Sequence, residues 1–108
     1  LYVKNVLQRK GNEVISVTPE MSLQDTAKVL RENKIGAVLV CRENNSMCGV
    51  LSERDIVIAV AKQGGKVLDN KVSEFMTEGV YTCSPEDDMK AVMEQMTTRR
   101  IRHLPVVE

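Results

Sequence analysis

The apolar positions change their period several times along the chain. Val14, Ile15 and Val17 form a β-branched run that predicts a strand over 14–17. After Thr18-Pro19-Glu20 the spacing moves to Leu23, Ala27 and Leu30, one face of a helix, with Ser22 placed as its N-cap. Ala37 to Cys41 is a continuous apolar run and predicts a buried strand. Glu43-Asn44-Asn45-Ser46 is a polar turn, and Met47 to Leu51 returns as a hairpin strand. Ser52 opens a further helix carrying Ile56, Val57, Val60 and Ala61, and Gly64-Gly65 ends it. A linker then runs to Lys71, and Val72 to Met76 reads as a short helical lead into the second half of the chain.

That second half carries the same pattern again. Val14 to Val40 superimposes without gaps on Val80 to Val106, an offset of 66 residues. Pro19 meets Pro85, Glu20 meets Glu86, Ile35 meets Ile101 and Val40 meets Val106, while Leu23, Ala27 and Leu30 meet Met89, Met93 and Met96. The second copy therefore predicts a strand over Val80 to Cys83, a helix capped by Asp88 with its methionine stripe in the core, and a strand over His103 to Val107. The chain stops at Glu108, where the first copy turns back, so the second repeat is read as truncated, with its hairpin strand and last helix missing. The expected organisation is repeat 1 with its lead-in over 1–66, a linker over 67–71, and repeat 2 over 72–108, an α/β (α+β) fold.

Composition narrows the function more than the fold. In 108 residues, 15 Lys and Arg balance 15 Asp and Glu, so no global field draws the chain to nucleic acid or anionic lipid. Three aromatic residues, Tyr2, Phe75 and Tyr81, are too few for a base-stacking groove. No apolar stretch approaches the ~20 residues that cross a bilayer, and no secretory leader is present, which predicts a cytoplasmic protein. Cys41, Cys48 and Cys83 contain no Cys-x-x-Cys pair, and His103 is the single histidine, so no metal site is expected and the thiols read as free and buried. A glycine-lysine step at Gly65-Lys66 lacks the remaining residues of a phosphate loop and is set aside.

Two segments carry candidate chemistry. In Gly49-Val50-Leu51-Ser52-Glu53-Arg54-Asp55, Ser52 and Asp55 stand three residues apart at a helix start. That spacing makes a capping box, in which each side chain bonds a free backbone N–H at the other's position. The same geometry serves a ligand: free amides and the positive helix end attract phosphate, Ser52 adds a donor, Arg54 adds charge-assisted bonds, and Asp55 can accept two ribose hydroxyls. Gly49 lets backbone and ligand approach. In Arg99-Arg100-Ile101-Arg102-His103-Leu104-Pro105, the first two arginines read as a solvated helix end, whereas Arg102 and His103 flank a strand mouth suited to an anion.

In this order the segments resemble the CBS (cystathionine-β-synthase) domain family, as a stand-alone tandem pair of the bacterial type. GVLSERD resembles that family's ribose-phosphate motif, IRHLPVV its strand after the repeat helix, and Phe75-Met76-Thr77 its step into a second repeat. The resemblance implies two β-α-β-β-α repeats packed about a pseudo-twofold axis with two clefts between them. In one cleft it places Asp55 on a ribose, Ser52 and Arg54 near phosphate, Met76, Thr77, Val80 and Thr82 around an adenine, and Arg102 and His103 towards the phosphates. The other, incomplete cleft keeps Lys10, Ile15, Val17 and Gly36. It further implies an energy-sensing regulatory module rather than an enzyme, an adenosine ligand among AMP, ADP, ATP, NAD(H) and S-adenosylmethionine, a homodimer, and a regulated protein partner. Two rivals stand beside this reading: a structural dimerisation module without ligand, and an enzyme pairing Cys83 or Cys48 with His103, for which no oxyanion site is visible.

Overall fold

Ser22 starts the first long helix as its position predicts: the Asp25 N–H donates to Ser22 Oγ at 3.1 Å. The computed structural model describes residues 1–10, 14–44, 46–101 and 103–107, the side chains of 8–10 excepted. The elements are α1 (Val3–Lys10), β1 (Ser16–Val17), α2 (Leu23–Asn33), β2 (Ala37–Cys41), β3 (Met47–Ser52), α3 (Glu53–Gln63) and α4 (Met89–Arg99), with 3-10 turns at Gly65–Asp69 and Val72–Glu74. It is the mixed α and β class expected from the pattern. The chain divides into two units, one of Val14–Gly79 and one of Leu1–Glu13 with Val80–Glu108.

In the Val14–Gly79 unit the sheet order is β1-β2-β3. β1 and β2 run parallel, with Val17 beside Val40, and β2 and β3 antiparallel, with Val38 beside Leu51. α2 is the crossover that a parallel pair requires. It buries Leu23, Thr26 and Leu30 against Val17, Val38, Val40 and Leu51. Thr26 is tolerated at zero exposure because its hydroxyl donates to the Ser22 carbonyl at 2.9 Å. On α3 the pattern is weaker than expected: Ala59 is the buried residue, while Val57 is 66% and Ile58 43% exposed.

Within residues 67–71, read as a linker, Val67 is buried and Leu68 partly so, while Asp69 and Lys71 are exposed. Val67 and Val72 have no exposed surface, and the Val72 N–H donates to the Met21 carbonyl and the Ser73 N–H to that of Pro19. The other unit repeats this docking with the N-terminal lead-in. The Val3 N–H donates to the Asp87 carbonyl and the Lys4 N–H to that of Pro85, with Val3 buried beside Cys83 and Val92. Tyr2 bridges Asp88 as Lys71 bridges Ser22, and Asn5 and Glu74 accept from the Tyr2 and Lys71 amides respectively. The lead-ins are thus equivalent at an offset of 69 residues, three more than the strand–helix part, so a search for one ungapped offset passes them over.

The helix ends match as well. Lys34 and Arg100 both adopt the left-handed conformation, at φ 54° and 55°, and the amides of Ile35 and Ile101 bond back to Leu30 and Met96 at 3.0 and 2.9 Å. Elsewhere the second copy is looser than predicted. Of Val80–Cys83 and His103–Val107, only Cys83 and Val106 pair, in one parallel bridge. β2 is bonded along both edges, whereas each of these segments has a single described neighbour, and two-stranded pairing is marginal. β1 is likewise shorter than 14–17. On α4, Val92 is buried with Met89 and Met96 packed beside it, three residues before and four after on the same face, while Met93 is 60% exposed, so two of the three methionines lie on the core side. Asp88 caps α4 by position without a side-chain bond. Arg99, expected to be solvated, lies over the Tyr81 ring at 3.6 Å from its centroid.

Candidate functional site

β3 delivers the chain into α3 at Ser52, whose extended backbone (φ −107°, ψ 162°) turns its side chain onto the first helical turn. The Asp55 N–H donates to Ser52 Oγ at 3.2 Å, and in return Asp55 Oδ2 accepts from the Ser52 N–H at 2.9 Å and the Ser52 hydroxyl at 3.1 Å. The capping box is therefore formed. The Glu53 N–H is also taken, by the Gly36 carbonyl at 2.9 Å. Two groups are left over among the described residues: the Arg54 N–H donates no hydrogen bond and Asp55 Oδ1 accepts none. Ser52 and Asp55 are half-buried and Arg54 is exposed. The cap uses one carboxylate oxygen and leaves the other, so capping and ligand binding by Asp55 are compatible.

The far edge of β3 brings in the second piece. The Val50 N–H donates to the Thr77 carbonyl at 3.0 Å and the Thr77 N–H to the Val50 carbonyl at 2.9 Å. Met76 and Thr77 thus run beside β3 two residues ahead of Ser52, although 27 positions separate Val50 from Thr77 in sequence. Gly49 is the residue that allows this. A Cβ there would stand 2.7 Å from Met76 Sδ and 3.0 Å from the Thr77 carbonyl oxygen. Its role is a correction to the sequence reading, which reserved that space for a ligand; the chain itself fills it. Gly49→Ala is expected to cost about 1–3 kcal/mol through overpacking, read as a lower urea midpoint at unchanged slope.

The remaining assigned residues are distributed between the two units. Thr82 and His103 are exposed and Val80 is half-buried, all in the Leu1–Glu13 and Val80–Glu108 unit; Arg102 lies outside the described residues. Of the incomplete-cleft set, Lys10 closes α1 with its side chain outside the description, and Gly36 gives its carbonyl to α3. Ile15 is half-buried and packs on the core, and Val17 is 3% exposed within it. A groove that sequence reasoning missed runs between α2 and α3, lined by Leu30, Arg31, Lys34, Ile56 and Val57. It mixes an apolar floor with Arg31, Lys34 and the carboxylate of Glu53, and Gly36 of the incomplete-cleft set is also on its lining. For the thiol–base rival the local physics is unfavourable. Burial, with Asp87 adding to it, pushes the Cys83 thiol above its ordinary range and away from the reactive thiolate. No group of three His, Cys, Asp or Glu among the described residues is placed to hold a metal, and no described helix is long and apolar enough to cross a membrane.

Known proteins share the family profile and the fold of this chain. The profile of the CBS domain family matches residues 3–62 and 72–108. The crystal structure of a CBS-domain containing protein from Agrobacterium tumefaciens is 42% identical, with a TM-score of 0.98 over 100% of this chain and 86% of that one. A CBS domain protein of Pyrobaculum aerophilum, solved in complex with AMP, has a TM-score of 0.87 at 24% identity, over 100% and 79% of the two chains. A CBS domain pair solved with 5-methylthioadenosine and S-adenosyl-L-methionine has a TM-score of 0.88 at 24% identity, over 100% and 81%. The chain spans about half the length of the curated relatives it matches, 55%, 61% and 49% of three of them.

Proposed function

This chain belongs to the CBS domain family, and from that premise we propose that it is a regulatory module, not an enzyme, that binds an adenosine-containing ligand at the Ser52–Asp55 turn and the adjoining Met76–Thr77 segment. Asp55 Oδ1 takes the ribose hydroxyls, the Arg54 amide and guanidinium with the Ser52 hydroxyl meet the phosphate or its replacement, and Met76 and Thr77 border the base. The observation that carries the reading is the Val50–Thr77 pairing, which sets those segments side by side while Asp55 keeps one oxygen unspent. The adenosine ligands of two structurally similar proteins support the ligand class. Three free thiols support a reducing compartment such as the cytoplasm. Binding regulates by favouring one arrangement of the protein, or of a homodimer or partner complex, over another.

A second reading has its own observation. The capping box is satisfied without a ligand, and Val57 and Ile58 leave apolar surface on α3, which suits a homodimerisation module. Thermal unfolding with AMP, ATP, NADH and S-adenosylmethionine separates the two. A ligand present at 100 times its dissociation constant is expected to stabilise the fold by ~2.7 kcal/mol, a shift on the order of 10 °C for a chain of this size. Unchanged unfolding with all four, together with a concentration-dependent dimer, would select the second reading.

A further inference from the structure

The β2–β3 ladder is irregular at one place. Val40 pairs with Gly49 and Cys41 with Met47, so Cys48 is an inserted residue with no ladder partner of its own. Its thiol reaches across to β2 and donates to the Val40 carbonyl at 3.3 Å. That oxygen belongs to the peptide group that leads into Cys41. Cys41 itself pairs with Met47, so the two cysteines sit diagonally across the irregular step, with the Cys48 thiol bonded to the peptide group that precedes Cys41; a disulfide between them needs ~4.4–6.8 Å between their Cα atoms. Both cysteines are free and half-buried, whereas Cys83 is buried in the other unit.

We propose that Cys41 and Cys48 are a redox-responsive thiol pair, closed to an intramolecular disulfide by a small-molecule disulfide, and that closure stiffens the adjoining Gly49–Val50 segment. In the first step the thiolate of one cysteine attacks a sulfur of the reagent; a mixed disulfide forms and one reagent thiolate leaves. In the second step the other cysteine, as thiolate, attacks the protein sulfur of that mixed disulfide, forms the Cys41–Cys48 bond and expels the second reagent thiolate. The protein gives up two electrons and two protons, and the reagent takes up both as two thiols. Burial, with the neighbouring Cys48 second, pushes the Cys41 thiol above its ordinary range, so closure quickens as pH rises. The consequence is local. Gly49 carries the Met76 contact and Val50 the two bonds to Thr77, so a tie at Cys48 constrains the strand on which the 76–77 segment rests.

The pair goes beyond the ligand reading and is tested without any nucleotide. The whole chain is incubated with oxidised glutathione, alkylated and digested with trypsin. Cleavage after Lys34, Arg42 and Arg54 puts Cys41 in peptide 35–42 and Cys48 in peptide 43–54, so closure appears as these two joined. The joined species is expected in the native chain and in Cys83→Ser, while Cys48→Ser is expected to stop at a glutathione adduct. Amide exchange at Val50 and Thr77 is expected to slow severalfold on closure. Stable glutathione adducts on Cys41 or Cys48 without joined peptides would overturn the pair. Joined peptides with unchanged exchange at both amides would overturn the proposed effect on the strand.

Discussion

Asp55→Ala is expected to abolish adenosine-ligand binding while the chain stays folded. Two magnitudes decide this. As a cap, Asp55 supplies one carboxylate oxygen to the Ser52 N–H and hydroxyl, and removing a cap costs about 1 kcal/mol. As a ribose ligand, it is a charged acceptor of two hydrogen bonds donated by the ribose hydroxyls, each contributing about 1.5–3 kcal/mol. Losing both weakens binding by a factor on the order of 100 or more. Urea unfolding reads the first quantity and calorimetric titration the second. A variant destabilised by about 1 kcal/mol whose affinity is unchanged would leave Asp55 as a helix cap only. Asp55→Asn is the informative companion, because an amide keeps a neutral acceptor for the cap but loses the charge that strengthens the bonds to ribose.

The second large effect concerns the lead-ins. Val72→Asp is expected to unfold the Val14–Gly79 unit. Val72 has no exposed surface and its segment makes no polar pocket: its own N–H is spent on Met21, and its side chain joins Leu23, Leu51 and Val67 in the core. An unpaired carboxylate there costs about 3–5 kcal/mol, against a total stability of ~5–15 kcal/mol for an ordinary domain. Val3→Asp is expected to do the same to the other unit, whose buried apolar set among the described residues is only Val3, Cys83 and Val92. Amide exchange resolved by residue checks both. Val72→Asp should release protection across α2, β2 and β3, and Val3→Asp across α4. Uniform loss across the whole chain in both variants would mean that the units do not unfold separately.

These lead-ins also mark where sequence reasoning runs out. α2, β2, β3 and α3 are readable because each carries a local signal: a capping residue at Ser22 or Ser52, a helical period, or an apolar run ended by a polar turn. The segment from Val72 is legible as a short helical lead, and Val3 and Leu7 stand four apart on α1, but neither pattern says which strand–helix part its buried valine docks on. Their equivalence sits at an offset different from that of the strands and helices, so the repeat hides them. On α4 one methionine misleads. Met89 and Met96 share a face with the buried Val92 and pack on its cluster, whereas Met93, one residue along, turns to solvent. At the site, Ser52 and Asp55 are visible as a motif, and the structure forms the cap that their spacing allows. The placement of Met76 and Thr77 beside them comes from family resemblance alone, since nothing local in the sequence couples position 50 to position 77. Gly49 stands out in the sequence for the wrong reason. Its missing side chain admits Met76, and the ligand reading rests on the groups around it.

The central claim is tested most directly by nitrogen–proton NMR spectra of the labelled chain titrated in turn with AMP, ATP, NADH and S-adenosylmethionine. The account predicts that at least one of them produces saturable shifts concentrated at Ser52, Arg54, Asp55, Met76 and Thr77. Signals of Val80, Thr82, Arg102 and His103 test, in the same spectra, the contacts that the family resemblance assigns to the second half of the chain. Saturable shifts that leave residues 52–55 and 76–77 unmoved, or no shifts with any of the four, would contradict it.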